Sequence, residues 1–275
     1  MGRRYETVSF LSDYGLADEF VGVVKGVLRS LAPHAAVIDV CHEIPPHDVR
    51  AGGLALARSV QYLPPGVVLA VVDPGVGTDR RAIAVEVGEP DAGGEGTAVF
   101  VGPDNGLLAS AVAMTGGARR AVSLTNATYQ LPAPGNTFAG RDVFAPAAAH
   151  LCNGVDLEEL GDLVDPLSLL PGVLPVTRVE NGSLVAEVLW VDRFGNVQLN
   201  VDPDEIAGFG DRVLLRYRDD VRTARRAANY ADVGAGEVGL VVDSYGLLSL
   251  ALDRQSAARE LRLQPGDAIT LDAAS

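Results

Sequence analysis

An α/β amino-terminal domain followed by a smaller all-β domain is the fold class the sequence predicts, and three observations predict it. Through the first half, short and nearly continuous apolar runs alternate with segments whose apolar residues recur at helical spacing. After Gly161 the helical pattern nearly vanishes and short strand-like runs bounded by turn residues replace it. Between the two patterns lies "DLVDPLSLLPGVLPV", whose Pro166, Pro171 and Pro175 suit a linker. The boundary is therefore placed near residue 172, giving a sheet domain over residues 1–171 and a β domain over 172–275.

"YETVSFLS" reads as the first strand, and "ADEFVGVVKGVLRSLA" as a helix with Phe20, Val23, Val24, Val27, Leu28 and Leu31 on one stripe. "AAVIDV" is a strand, "HDVRAGGLALARSVQYL" a helix, and Val67–Val72 and Ala82–Val87 two further strands. The polar stretch 88–97, "GEPDAGGEGT", is a flexible loop whose tip carries no expected role. Strand "AVFVG", helical "NGLLASAVAM", strand "RAVSL" and helix "GRDVFAPAAAHLC" complete this half. Apolar strands alternating with helices imply a sheet covered on both faces. In the second domain "SLVAEVLWV", "NVQLNV", "RVLLRY", "EVGLVVD", "LLSLALD" and "AITLD" are short strands. Asn181-Gly182 is a hairpin turn between "TRVE" and "SLVAEV". A small antiparallel barrel or sandwich follows, without internal repeats.

Composition narrows the function classes. The 275 residues are 48% hydrophobic and 21% charged, as for an ordinary globular protein, and no apolar run is long enough to cross a bilayer. Asp13 interrupts the first apolar run before it could serve as a signal sequence, and Glu6 stands where a myristoylation signal wants Ser or Thr. A cytoplasmic protein without a membrane partner is expected. Cys41 and Cys152 are too few for a disulfide framework or a cysteine-rich zinc site. A formal charge of -14 argues against nucleic acid and is compatible with a cationic substrate. The Arg-rich "VRTARRAANY" follows Asp219-Asp220 and reads as a solvated face or a subunit contact. Lys25, the only lysine, falls inside a helix.

Ligands of α/β sheets gather beyond the carboxyl ends of the strands. Ser12-Asp13-Tyr14-Gly15, Asp39, Asp73-Pro74-Gly75 and Pro103-Asp104-Asn105-Gly106 are delivered there. No phosphate cradle is present: "GVGTDRR" lacks the P-loop lysine and spacing. Converging aspartates suit a hard cation such as Mg²⁺ for hydrolysis. Equally, one carboxylate can grip a ribose diol while another orients water without metal. A lone aspartate is more often a turn or helix cap, and Asp39, Asp48 and Asp104 fit that role best. Asp13 and Asp73 fit it less well, because neighbouring glycines let a ligand approach the backbone.

Six ordered blocks then carry a family likeness: "FLSDYGLADEFVGVVKGV", "VIDVCHEIPPHDV", "VVDPGVGTDRR", "VGPDNGLL", "TFAGRDVFAPAAAHL" and "VDRFGNVQLN". Together they resemble the S-adenosyl-L-methionine (SAM) hydroxide adenosyltransferases, water-using relatives of the nucleophilic fluorinase and chlorinase. The resemblance implies an αβα sandwich domain, a carboxy-terminal antiparallel β-barrel, and a homotrimer with active sites between one subunit's first domain and its neighbour's second. It implies SAM as substrate, adenosine and L-methionine as products, and neither cofactor nor metal. Asp13 matches the carboxylate on the ribose hydroxyls. Asp192 and Asn196 match positions that bind the methionine amino group and the adenine edge, while Phe194 and Tyr230 match aromatic positions against the adenine. Ser244 matches a contact to the methionine carboxylate, followed here by Tyr245 where the halogenases have arginine. His47 matches a halogenase tryptophan beside the pocket, and Phe138 a residue lining the reacting carbon's pocket. For Phe138 and Phe194, each taken alone, core packing is the plainer role.

Asp73 and Arg80 match two members of a triad that handles the attacking water. The halogenases carry tyrosine where Asp73 stands, and a negative charge there favours water over halide. The third member is a histidine in the hydrolase pattern T-F-H-G-R-D, whereas this chain reads Thr137-Phe138-Ala139-Gly140-Arg141-Asp142. Three accounts follow: Asp73 and Arg80 suffice with an extra water, His47 substitutes, or the protein is slow or inactive. The first is preferred, since general-base help contributes about 10²–10⁴-fold. His42 and His150 are expected to be structural and His34 exposed. The rivals to a metal-independent SAM hydrolase are a divalent-metal phosphohydrolase and a SAM or adenosine sensor with little turnover.

Overall fold

Residues 4–88 and 98–274 are described by a computed structural model. From residue 89 onward the expected polar loop lies outside the described residues. The chain divides into two compact units, Met1–Val173 and Leu174–Ser275. Among the described residues no helix is long and apolar enough to cross a membrane.

The first unit contains β1 (Thr7–Ser12), α1 (Phe20–Leu31), β2 (Ala36–Cys41), α2 (Val49–Val60), β3 (Val67–Val71), β4 (Ala82–Val87), β5 (Ala98–Pro103), α3 (Ala109–Met114), β6 (Ala118–Ser123), α4 (Ala145–Cys152) and β7 (Asp162–Val164). Its seven strands order as β2-β1-β3-β5-β4-β6-β7. The β2-β1-β3-β5 portion is parallel, whereas β4, β6 and β7 run antiparallel to their neighbours. Side chains of a strand alternate between faces, so the apolar run at β3 feeds two cores. Val67, Leu69 and Val71 pack with Val24, Leu28 and Leu151 of α1 and α4. Val68, Ala70 and Val72 pack on the other face with Leu56, Val60 and Ala111 of α2 and α3. This is the covered sheet that the sequence predicts.

Local departures have local causes. Helix α1 buries Val21, Val24 and Leu28, while Phe20 is turned out of the expected stripe and packs its ring on Tyr14 and Phe138. Asp48 caps α2 by accepting from Ala51 N at 2.8 Å, the capping role foreseen for it. The expected helix from Gly140 begins instead as one π-helical turn, Gly140–Phe144, before α4. Pro146 has no N–H to give the Asp142 carbonyl, which accepts from Leu131 N at 2.9 Å instead. Such turns widen the backbone and recur at functional sites. The proline-rich stretch also contributes β7, at the sheet edge beside β6, before the chain leaves the first unit.

The second unit holds β8 (Arg178–Glu180), β9 (Ser183–Val191), β10 (Val197–Leu199), β11 (Arg212–Tyr217), β12 (Asp220–Ala227), β13 (Val238–Val242), β14 (Leu248–Ala251), α5 (Ala257–Leu261) and β15 (Ala268–Ala273). Seven strands close into a barrel, β10-β14-β13-β12-β11-β15-β9, through the β9–β10 pairing, with β8 added on β9. Leu199, Ile206, Leu215, Leu250 and Leu271 fill the interior. Asn181 and Gly182 take φ of 51° and 86°, the backbone that a tight hairpin turn requires. One pair, β12–β13, is parallel rather than antiparallel. The segment between them is long enough, with a 3₁₀ turn at Tyr230–Asp232, to carry the chain back to the same end. The Arg-rich stretch expected as a solvated face is β12 itself, exposed over Val221–Thr223 and burying Ala224.

Candidate active site

Strands β1 and β3 are parallel neighbours, with Ser12 opposite Val71. Their carboxyl ends therefore release Asp13 and Asp73 side by side, and Asp13 N donates to the Val71 carbonyl at 3.3 Å. The chain turns through Pro74–Gly77 and returns Arg80 onto Asp73. Arg80 Nε donates to Asp73 Oδ1 at 2.7 Å, and Arg80 Nη2 pairs with Oδ2. The side chains are only 15% and 6% exposed. A planar fork on a carboxylate fixes both groups in orientation as well as charge. Phe144, from the π-helical turn, supports the guanidinium, which lies 5.2 Å from its ring centre. Asp13 accepts from His47 N at 2.9 Å. His47 thus meets Asp13 through its backbone, at a φ of 68° that is uncommon for a side-chain-bearing residue.

Around these acids stands an aromatic cluster. Tyr14 and Phe138 meet edge to face at 5.7 Å, and Phe20 meets Phe138 at 5.0 Å. Arg141 lies 5.2 Å over the Phe138 ring and pairs with buried Asp142. Burial, then the charges of Asp13 and Asp73, push the Tyr14 phenol well above its ordinary pKa. Ala139 borders a cavity of about 530 Å³ together with Gly77, Thr78, Asn136 and Asp142.

The other strand-end acids are engaged elsewhere. Asp104 is paired with Arg81 and accepts from Leu170 N at 2.9 Å. The adjacent arginines thus serve two different carboxylates. Asp39 lies within β2 rather than at its end, and pairs with Lys25 at 2.8 Å and His42 at 3.1 Å. Both acids have a cationic or histidine partner, and among the described residues no three His, Cys, Asp or Glu side chains converge as metal ligands. His42 is buried, bonded to Ser12 Oγ at 2.8 Å, in the structural role expected. Burial lowers the pKa of His150, which packs on Tyr129. His34 is half-buried rather than exposed, because its ring reaches the Cys152 carbonyl at 3.2 Å.

In the second unit a separate group forms on the loops that flank β10. Asp192 accepts from Phe194 N, Asn196 N and Asn196 Nδ2 at 2.8–2.9 Å, so its carboxylate builds the turn that presents Phe194. Asp243 does the same for the next loop, accepting from Tyr245 N at 2.8 Å, Gln198 Nε2 at 2.6 Å and Ser249 Oγ at 3.1 Å. Burial, followed by the charges of Asp192 and Asp243, raises the Tyr230 pKa. Phe194, Tyr230 and Tyr245 are all exposed, at 78%, 48% and 41%. Exposed aromatic rings beside carboxylates form a surface fit for a purine carrying a cation. Ser244 is exposed on the same loop.

Two residues of these groups escaped the sequence reading. Tyr14 was visible only as the neighbour of Asp13, and Asp243 only as the residue before Ser244. Gly195, inside the Asp192 turn, has φ 87°, and a Cβ there would lie 2.1 Å from Ser256 Oγ. Gly195→Ala is expected to lower stability by about 1–3 kcal/mol, read by thermal melting.

Comparison with known proteins places both units. A family model described as the SAM hydroxide adenosyltransferase N-terminal domain matches residues 8–161, and its C-terminal counterpart matches residues 186–270. The chain is similar to an (R)-S-adenosyl-L-methionine hydrolase of Salinispora tropica, 45% identical over 97% of each chain. Another of that name, from Thermus thermophilus, is 42% identical over 96% of this chain and 98% of that one. Among solved structures, an uncharacterized conserved protein from Thermotoga maritima superposes with a TM-score of 0.85 at 36% identity, covering 96% of this chain and 99% of its own.

Proposed function

The chain belongs to the SAM hydroxide adenosyltransferase family, and on that premise we propose how its residues divide the work of splitting SAM. The protein is a hydrolase that converts SAM and water into adenosine and L-methionine. Displacement at the ribose C5′ needs water held in line with the C5′–S bond. Sulfonium leaves as a neutral thioether, so no general acid is required. Asp73 accepts the proton of the attacking water. Arg80 occupies one edge of its two oxygens, and a carboxylate with about four acceptor positions keeps others free for water. Asp13, beside it, accepts the two ribose hydroxyls. Phe194 and Tyr230 pack against the adenine, Asn196 meets its edge, Phe138 lines the C5′ pocket and His47 the rim. Asp192, Ser244 and Tyr245 hold the methionine end. The observation that carries this reading is the forked Asp73–Arg80 pair, set next to Asp13 at adjoining strand ends.

The finer assembly belongs to the same reading: a cytoplasmic homotrimer whose sites join one subunit's first domain to a neighbour's second, without cofactor. Incubation with SAM is expected to yield adenosine and methionine in equal amounts, and EDTA is expected to leave the rate unchanged. Loss of this activity on chelation would point instead to hydrolysis assisted by a divalent ion. Tight SAM binding without products would point to a sensor.

A further inference from the structure

We propose that Tyr14 is a further catalytic residue of this site, its hydroxyl oxygen accepting a hydrogen bond from the attacking water at the point where Ala139 offers no acceptor. The inference rests on the hydrolysis reading above. A water poised for in-line attack must aim one lone pair at C5′, and its two O–H groups need acceptors to hold that aim. Asp73 takes one. A side chain at residue 139 would face the Asp73–Arg80 loop, since Ala139 lines the same cavity as Gly77 and Thr78, but a methyl group accepts nothing.

Tyr14 reaches the same stretch of backbone at the next residue. Its hydroxyl is so close to Gly140 that a Cβ on that glycine would lie 2.1 Å from it. Only glycine admits the phenol there, so the residue after Ala139 is shaped around this oxygen. The ring is wedged against Phe138 and Phe20, which fixes where the hydroxyl points. Burial, then the charges of Asp13 and Asp73, hold the proton on the phenol; Arg80 works against them and Asp142 adds a smaller push in the same direction. A phenol that keeps its proton still has oxygen lone pairs to offer the water. No proton passes to Tyr14. The water oxygen bonds to C5′, the C5′–S bond breaks with its electron pair going to sulfur, and the released proton goes to Asp73.

Tyr14→Phe removes one oxygen and keeps the ring, so the fold is preserved. In steady-state assays of the full chain with SAM, kcat is expected to fall about 100-fold, with KM and melting temperature unchanged. That split marks an interaction made in the transition state. A kcat within twofold of the parent overturns the proposal, as does a fall accompanied by raised KM and a lower melting temperature, which marks packing. A parent chain that makes no adenosine from SAM overturns the hydrolysis reading first and this inference with it. Adenosine produced by the parent keeps the two failures distinct.

Discussion

Asp73→Asn is expected to lower kcat for SAM hydrolysis by about 10²–10⁴-fold, the range that a positioned proton acceptor contributes. The change is nearly isosteric and leaves Asp13 and the aromatic residues of the barrel loops untouched, so SAM affinity should persist. An amide presents one acceptor oxygen and an NH₂ group in place of two carboxylate oxygens. The NH₂ would face either Arg80 or the water, and neither arrangement both satisfies the guanidinium and removes a proton. Single-turnover rates and calorimetric affinity, measured on the same preparation, check both halves. A variant as active as the parent would remove Asp73 from the chemistry.

The second large effect is expected at Arg80. Arg80→Ala leaves Asp73, whose side chain is 6% exposed, as a buried carboxylate without its partner. Breaking such a pair from one side typically destabilises by about 3–5 kcal/mol, a large share of the ~5–15 kcal/mol that holds a domain together. The cavity left beside the Phe144 ring adds to the loss. Turnover should also fall, because the carboxylate loses the fork that aims it. Arg80→Lys keeps the charge but not the two parallel bonds, so its stability should lie between parent and alanine while its rate stays low. Urea unfolding, read alongside the hydrolysis rate, separates these contributions.

The sequence reveals the placement of Asp13 and Asp73 because both follow strongly apolar strands, and strand ends are where α/β sheets expose ligand-binding groups. Asn181-Gly182 is equally plain, since few other pairs tolerate two consecutive positive φ angles. Strand β12 is hidden for the opposite reason. Its outer face is so exposed that Val221, Arg222 and Thr223 show no apolar alternation, and its identity comes from pairing with β11 and β13. The π-helical turn depends on how Leu131 takes over a carbonyl that Pro146 cannot use, a tertiary contact beyond any local pattern. Roles in the barrel loops are harder still. Asp192 builds its turn from bonds within one loop, whereas Asp243 also gathers Gln198 from β10 and Ser249 from β14. The sequence places Tyr14 at a strand end but gives it no role, because its contact is set by Gly140, far away in sequence.

A single turnover in oxygen-18 water, with enzyme in excess over SAM, tests the central claim most directly. Water presented by Asp73 straight to C5′ places one oxygen-18 atom in the 5′-hydroxyl of every adenosine formed. Unlabelled adenosine in that first turnover would mean that the oxygen came from a protein carboxylate, and would contradict direct attack by water.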